Sequence, residues 1–205
     1  MPLEVLPATP ADVPAIVDVY FRAFQTGFAH TLLQDTPAVR EWWGDGMAHA
    51  MTHDADAYFL KAVDTDGGQL VAFARWVRPR AQPQTEASLP PTFPEGANER
   101  LFRDFIGELF VRRMQLMGAT PHWYLELLAT HPAHQRRGAA SLLIAAVLDD
   151  PANAETAAYV ESSPQGVRLY PRHGFEPQGS LVLQIEGHGP YETLLMPRYV
   201  KVKGG

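Results

Sequence analysis

The stretch Leu127-Leu128-Ala129-Thr130-His131-Pro132-Ala133-His134-Gln135-Arg136-Arg137-Gly138-Ala139-Ala140 gathers the residue types that hold a pyrophosphate. An apolar strand ends near Pro132, a tight loop follows, and a helix opens with Gln-Arg-Arg-Gly. Such an arrangement aims several backbone N–H groups and the positive end of a helix at one point. Gly138 carries no Cβ, so a ligand can approach the backbone closely there. Arg136 and Arg137 add cationic side chains. Taken alone, the segment is also compatible with an ordinary strand, loop and helix bearing a solvated arginine pair.

Other chemistries find less support. His49 and His53 have the i, i+4 spacing of two metal ligands on a helix, but Ala50 stands where a His-Glu-x-x-His motif needs Glu, and they read as surface histidines. No metal is expected. His131 and His134 flank the loop and read as solvent-facing. The chain has no Gly-x-x-x-x-Gly-Lys loop, Gly-x-Gly-x-x-Gly fingerprint or Gly-x-Ser-x-Gly elbow, which disfavours a nucleoside triphosphatase, a dinucleotide dehydrogenase and a serine hydrolase. With no cysteine there is no disulfide scaffold, thiolate nucleophile or cysteine zinc site.

The elements that position the loop are legible from periodicity. Leu3–Leu6 suits a first strand. Thr9-Pro10-Ala11-Asp12 reads as a capped helix start, and Val13, Ile16, Val17, Tyr20, Phe21 and Phe24 follow on one helical face. A second helix is predicted over Thr36–His53. Tyr58–Val63 and Gln69–Val77 bracket Asp64-Thr65-Asp66-Gly67-Gly68, a hairpin pattern. Residues 78–97 hold five prolines and read as a loop. A helix over Glu99–Met117 precedes a strand over His122–Thr130 and a helix over Arg136–Asp150, which must stop at Pro151. A strand over Ala157–Glu161, a helix over Pro164–His173, a strand over Phe175–Ile185 bent at Gly179, and a last strand over Tyr191–Met196 complete the reading.

The 205 residues fit one domain, 1–205, with an insertion at about 78–121. Seventeen basic against 23 acidic residues, net charge −6, argue against nucleic acid as the main partner. No run approaches the ~18 apolar residues of a membrane span, and the first residues lack the pattern of a signal peptide. No membrane association and a cytoplasmic location are the expectations.

Gln135-Arg136-Arg137-Gly138-Ala139-Ala140 resembles motif A of the GNAT acetyltransferase superfamily, Gln/Arg-x-x-Gly-x-Gly/Ala, with Ala140 at a position that is often Gly. The preceding His131-Pro132 and the strand Leu125–Thr130 resemble that family too. Farther on, Tyr159-Val160-Glu161-Ser162-Ser163-Pro164, Gly166, Leu169-Tyr170 and His173-Gly174-Phe175 resemble motif B. The ending Gly189–Arg198 is similar to the last strand of many fungal-type small members. The likeness covers about Trp123–Gly179.

The resemblance implies an α/β fold with a mixed, mostly antiparallel sheet of six to seven strands, splayed at the cofactor site and flanked by helices. It implies acetyl-CoA as cosubstrate. Main-chain groups of Leu128, Ala129 and Thr130 would pair with the pantetheine arm as an added strand pairs with a sheet edge, and the N–H groups from Gln135 to Ala140 would take the pyrophosphate. Tyr170 matches the position whose phenol commonly protonates the coenzyme A sulfur, although such a Tyr can also simply pack in the core.

Amine acetylation further needs a neutral amine, and hence a base. Glu126 is the first candidate: by strand alternation it shares a face with Tyr124 and Leu128. Glu161, at the end of the next strand, is the second, and water could mediate for either. Trp42, Trp43, Trp76, Phe93 and Tyr191 could line an acceptor pocket, but each is as well explained by packing. The expected acceptor is a small-molecule amine; a protein or peptide N-terminus, or a non-catalytic acetyl-CoA-binding module, are the alternatives. The resemblance also allows a homodimer.

Overall fold

The computed structural model describes residues 2–185 and 189–200. Strand β1 (Leu3–Pro7) leads into a capping box, in which the Asp12 carboxylate accepts from the Thr9 N–H at 2.8 Å and the Thr9 hydroxyl at 3.0 Å. A short 3-10 turn, Pro10–Asp12, separates that cap from helix α1 (Val13–Ala23), so the helix proper begins later than Thr9 implies. The Lys61–Asp12 ion pair of 2.7 Å ties this corner to the sheet.

A helix without a forecast, α2 (Phe28–Leu32), is a single short turn that sequence periodicity cannot register. In α3 (Pro37–His53) the Thr36 hydroxyl accepts from the Val39 N–H, as its Thr-Pro start predicts. The hairpin forms as β2 (Ala57–Asp64) and β3 (Gln69–Val77). Residues 78–98 form no helix or strand; an isolated bridge from Ala97 to Leu33 fastens their far end beside α2.

Helix α4 (Glu99–Met117) is capped by the Asn98 side chain, which accepts from the Leu101 N–H at 3.1 Å, and ends at Gly118 with φ +54°. Then come β4 (His122–Thr130), α5 (Ala139–Leu148), β5 (Ala157–Ser162), β6 (Gly179–Ile185) and β7 (Gly189–Arg198).

Three forecasts need correction. Strand β6 starts at Gly179, not Phe175, so Gly179 opens it instead of bending it, and Pro177 before it has no N–H for a ladder. Helix α5 is shorter than 136–150, because Arg136 and Gly138 both adopt positive φ and delay its start. Residues 164–173 do not make a helix. Successive i→i+3 turns (Ser163 to Gly166, Gly166 to Leu169) end in a 3-10 turn, Tyr170–His173, since Pro164, Gly166 and Pro171 break helical propagation.

The seven strands form one sheet in the order β1-β2-β3-β4-β5-β7-β6, every neighbour antiparallel except β4 and β5. That parallel pair is joined through α5, as a crossover requires. Helix α5 packs on one face, where Trp76, Trp123, Leu125, Leu143, Ile144 and Phe175 are buried. The opposite face is covered by α1 and α3 over β2–β4 and by α4 over β5–β7. Single-sided amphipathic helices on both faces of a sheet give the three-layer α/β arrangement that the resemblance implies.

Candidate active site

The pairing of β4 with β5 runs from His122↔Ala157 to Leu125↔Val160 and stops there. Strand β3 continues to follow β4 as far as Ala72↔Thr130. The β5-facing edge of β4 from Glu126 to Thr130 therefore has no strand partner, and the two strands splay apart. An unpaired edge with main-chain donors and acceptors can take an extended amide-bearing chain. Leu128, Ala129 and Thr130 lie along this edge.

The loop rich in backbone donors sits where β4 ends. His131 accepts from the Ala133 N–H through Nδ1 at 3.2 Å, and Gln135 Nε2 reaches the Thr130 carbonyl at 3.5 Å. Arg136, at φ +61°, is the sole non-glycine with positive φ among the described residues, a conformation that costs roughly 1–2 kcal/mol and clusters at ligand-binding loops. Gly138 follows at φ +89°, and a Cβ added there would meet nothing within 4 Å. The space in front of its backbone is open.

Helix α5 starts with no side-chain cap, leaving the N–H groups of Ala139, Ala140 and Ser141 without intrahelical acceptors. An anionic group fits this cradle of amides at the positive helix end. Arg137 does not project freely toward it: its guanidinium meets Asp64 Oδ2 at 2.9 Å and His134 Nδ1 at 2.7 Å. Arg136, by contrast, is exposed.

Tyr170 opens the 3-10 turn after β5 and is 7% exposed. Its ring packs edge-on against Phe175 at 5.9 Å, and the Gly166 backbone comes so close that a Cβ there would lie 3.1 Å from the Tyr170 ring. The hydroxyl makes no hydrogen bond among the described residues. Burial raises its pKa, and the nearby Glu161 carboxylate adds to the rise. A phenol held protonated in this way is a proton donor at neutral pH.

The register of β4 corrects one expectation about Glu126. Arg75 pairs with Leu127 and Trp76 with Leu125, so Glu126 is an extra residue, a β-bulge. The bulge shifts alternation by one: Tyr124 packs with the α4 layer while Leu128 packs with the α5 layer. Glu126 thus keeps company with Tyr124, not with Leu128. Its carboxylate forms an ion pair with Arg75, Oε2 to Nε 2.7 Å.

Glu161 stands at the end of β5 on the same face as Tyr159 and the paired Tyr124. It is half-buried as a residue, and its Oε1 is withdrawn from solvent without a hydrogen-bond partner. Burial pushes its carboxyl up to about 7, outweighing the Arg113 guanidinium and the Tyr124 and Tyr159 hydroxyls, which favour the charged form. Arg113, from α4, is 8% exposed; it lies 3.9 Å over the Tyr124 ring and donates to Gln84 Oε1 at 3.0 Å.

Arg75, Arg113, Tyr124 and Tyr159 escaped the sequence reading as site residues. The aromatic candidates divide. Trp43 and Trp76 are core, Trp43 stacked on Tyr20 at 4.2 Å and Trp76 edge-on to Trp123 at 6.2 Å. Trp42 and Phe93 pack with Phe102, and Tyr191 stacks on Phe28 at 4.0 Å.

A seven-stranded mixed sheet, splayed between its two central parallel strands with an amide cradle at the end of one of them, is the arrangement of the GNAT fold. Residues 107–185 match the family model of the acetyltransferase (GNAT) domain. Among solved structures, a histone acetyltransferase HPA2-related protein from Corynebacterium glutamicum is 24% identical, with all of both chains covered and a TM-score of 0.65. The ribosomal-protein-S18-alanine N-acetyltransferase of Escherichia coli is 12% identical over 99% of this chain and 97% of its own, TM-score 0.59. The PaiA N-acetyltransferase of Thermoplasma acidophilum, in complex with coenzyme A, is 12% identical over 97% and 99%, TM-score 0.56. A comparison with curated proteins finds no match. At these identities the structural likenesses show the GNAT fold, and residues 107–185 carry the likeness to its acetyltransferase domain.

Proposed function

We propose that the protein is an acetyl-CoA-dependent N-acetyltransferase that acetylates a primary amine of a small molecule by direct attack in a ternary complex. The carrying observation is the unpaired edge of β4 from Glu126 to Thr130, running into the amide cradle of Gly138–Ser141. It suits an extended amide chain that ends in a pyrophosphate, the shape of coenzyme A. The cosubstrate supplies an activated acetyl thioester. Leu128, Ala129 and Thr130 would hold its arm and the N–H groups from Gln135 to Ala140 its pyrophosphate. Tyr170, kept protonated by burial, gives its proton to the leaving sulfur.

A small acceptor draws on the inserted segment 78–98, which is fastened to α3 and α4: Trp42 Nε1 donates to the Thr92 carbonyl at 3.0 Å, and Arg103 to that of Pro90 at 3.2 Å. The alternative, a protein or peptide N-terminus, draws on the Escherichia coli neighbour, which is a ribosomal-protein-S18-alanine N-acetyltransferase. Calorimetric titration with acetyl-CoA, coenzyme A and ATP tests the reading. Binding of the coenzyme A pair and not ATP is expected, followed by transfer to members of a primary-amine panel. Absence of acetyl-CoA binding would remove the proposal; transfer to peptide N-termini in preference to small amines would select the alternative.

A further inference from the structure

Resting on the acetyltransferase reading, the question becomes which group takes the proton from the acceptor amine. Glu126 has the expected strand, but the β4 bulge sets its carboxylate against the Arg75 guanidinium of β3 at 2.7 Å.

Glu161 is placed differently. It is the penultimate residue of β5, one past the last β4–β5 pair, Leu125↔Val160, and so stands at the mouth of the splay. Leu195 of β7 is its partner on the other side. The groups facing it are Arg113 from α4, Tyr124 and Glu126 from β4, Tyr159 from its own strand, and Tyr170 from the turn that follows. Glu161 Oε1 is buried without a well-aligned hydrogen bond, although the Tyr124 and Tyr159 hydroxyls act on its carboxylate. Buried carboxylate oxygens of this kind are uncommon in folded chains, and one beside the unpaired edge of β4 suits a polar ligand that completes it.

We infer that Glu161 is the catalytic base, accepting the proton of the acceptor amine at the mouth of the splay, while the Glu126–Arg75 ion pair serves as a fixed wall beside it. In the step, the amine nitrogen forms a bond to the acetyl carbon as the carbon–sulfur bond breaks. Glu161 takes one nitrogen proton, and Tyr170 gives its phenolic proton to sulfur. The proton on Glu161 then returns to the Tyr170 oxygen through solvent, so the cycle closes without other reactants. With its carboxyl near 7, Glu161 is poised for this exchange at neutral pH.

The test compares wild type, Glu161→Gln and Glu126→Gln between pH 5.5 and 9, using acetyl-CoA and a panel of primary alkylamines, with acetyl-CoA binding followed separately by calorimetry. All three are expected to bind acetyl-CoA alike. Glu161→Gln should lose about 100-fold in kcat and lose the acid limb of the wild-type kcat/KM profile near 7, whereas Glu126→Gln keeps that limb. An intact limb in Glu161→Gln, or its loss in Glu126→Gln alone, would overturn the inference and leave the acetyltransferase reading standing. Acetyl-CoA binding with no transfer by wild type to any amine would overturn both.

Discussion

Arg137 donates to Asp64 Oδ2 at 2.9 Å and thereby fastens the loop ahead of α5 to the end of β2, 73 residues earlier. Asp64 is 4% exposed, and the Arg137 hydrogen bond is the largest influence holding its carboxyl below the ordinary range. The same guanidinium reaches His134 Nδ1 at 2.7 Å. One of the two arginines of the motif thus shapes the loop, and the other, Arg136, faces solvent.

Asp64→Asn is therefore expected to loosen the cradle without touching the reacting atoms. KM for acetyl-CoA should rise several-fold while kcat changes little. A carboxyl with a depressed folded value stabilises the native state above its unfolded value, and that stability is lost as pH falls through the folded value. Wild type and variant should differ in melting temperature at pH 7 and converge as pH falls below about 4. A constant gap across that range would detach Asp64 from loop stability.

Gly138 combines φ +89° with open space where a Cβ would stand. Gly138→Ala then meets a backbone penalty of roughly 1–2 kcal/mol and no steric clash within the protein. Gly138→Asp adds a negative charge beside the proposed pyrophosphate. The expected order of acetyl-CoA affinity is Gly, then Ala, then Asp, with the Asp variant weaker by about tenfold or more, the effect of at least ~1.4 kcal/mol. Equal affinity in Gly138→Asp would move the pyrophosphate away from this loop.

Much of this arrangement was legible in the sequence. The motif segment located the cradle, and alternation placed β2, β3 and β4 nearly residue for residue. What alternation cannot see is a bulge, because one unpaired residue in β4 leaves no compositional trace, and it is the bulge that turns Leu128 away from Glu126 and delivers Glu126 to Arg75. The positive φ of Arg136 was equally hidden, since no Gly or Asn marks it. One signal was available: Tyr124-Leu125-Glu126 and Tyr159-Val160-Glu161 repeat the same Tyr-x-Glu pattern, and the sheet sets the two tyrosines in register with rings 6.0 Å apart. Arg113 could not have been chosen among the arginines of α4, because its distinction is burial between the Tyr124 ring and Gln84, which helical periodicity does not reveal.

Tyr170→Phe keeps the ring that packs against Phe175 and removes a hydroxyl that makes no hydrogen bond among the described residues. Stability should hold to within about 0.5 kcal/mol, and acetyl-CoA affinity should be unchanged. Turnover should fall by about 100-fold, most for acceptors whose reaction is limited by departure of the thiolate. Gly166→Ala offers a companion: its methyl would press the Tyr170 ring from 3.1 Å and displace the hydroxyl, lowering kcat while leaving the phenol in place. Full turnover by Tyr170→Phe would remove the general-acid role.

The raised carboxyl of Glu161 also predicts how stability varies with pH. Its folded value is about 7, and burial is the main cause; in the unfolded chain a glutamate titrates near 4.3, a typical value. Below the unfolded value both states are protonated and the group costs nothing. As pH rises, the unfolded chain releases the proton first, so the native state loses stability progressively until pH passes about 7, by at most ~3–4 kcal/mol in total. Glu161→Gln cannot ionise and escapes this loss. Denaturant unfolding at pH 5 and pH 8 should therefore show the variant gaining on wild type at the higher pH, even as it loses activity. Arg113 does not confound the comparison, because at pH 5 it faces a neutral side chain in both proteins. A difference between the two proteins that stays the same at pH 5 and pH 8 would return Glu161 to an ordinary carboxylate and weaken its case as the base.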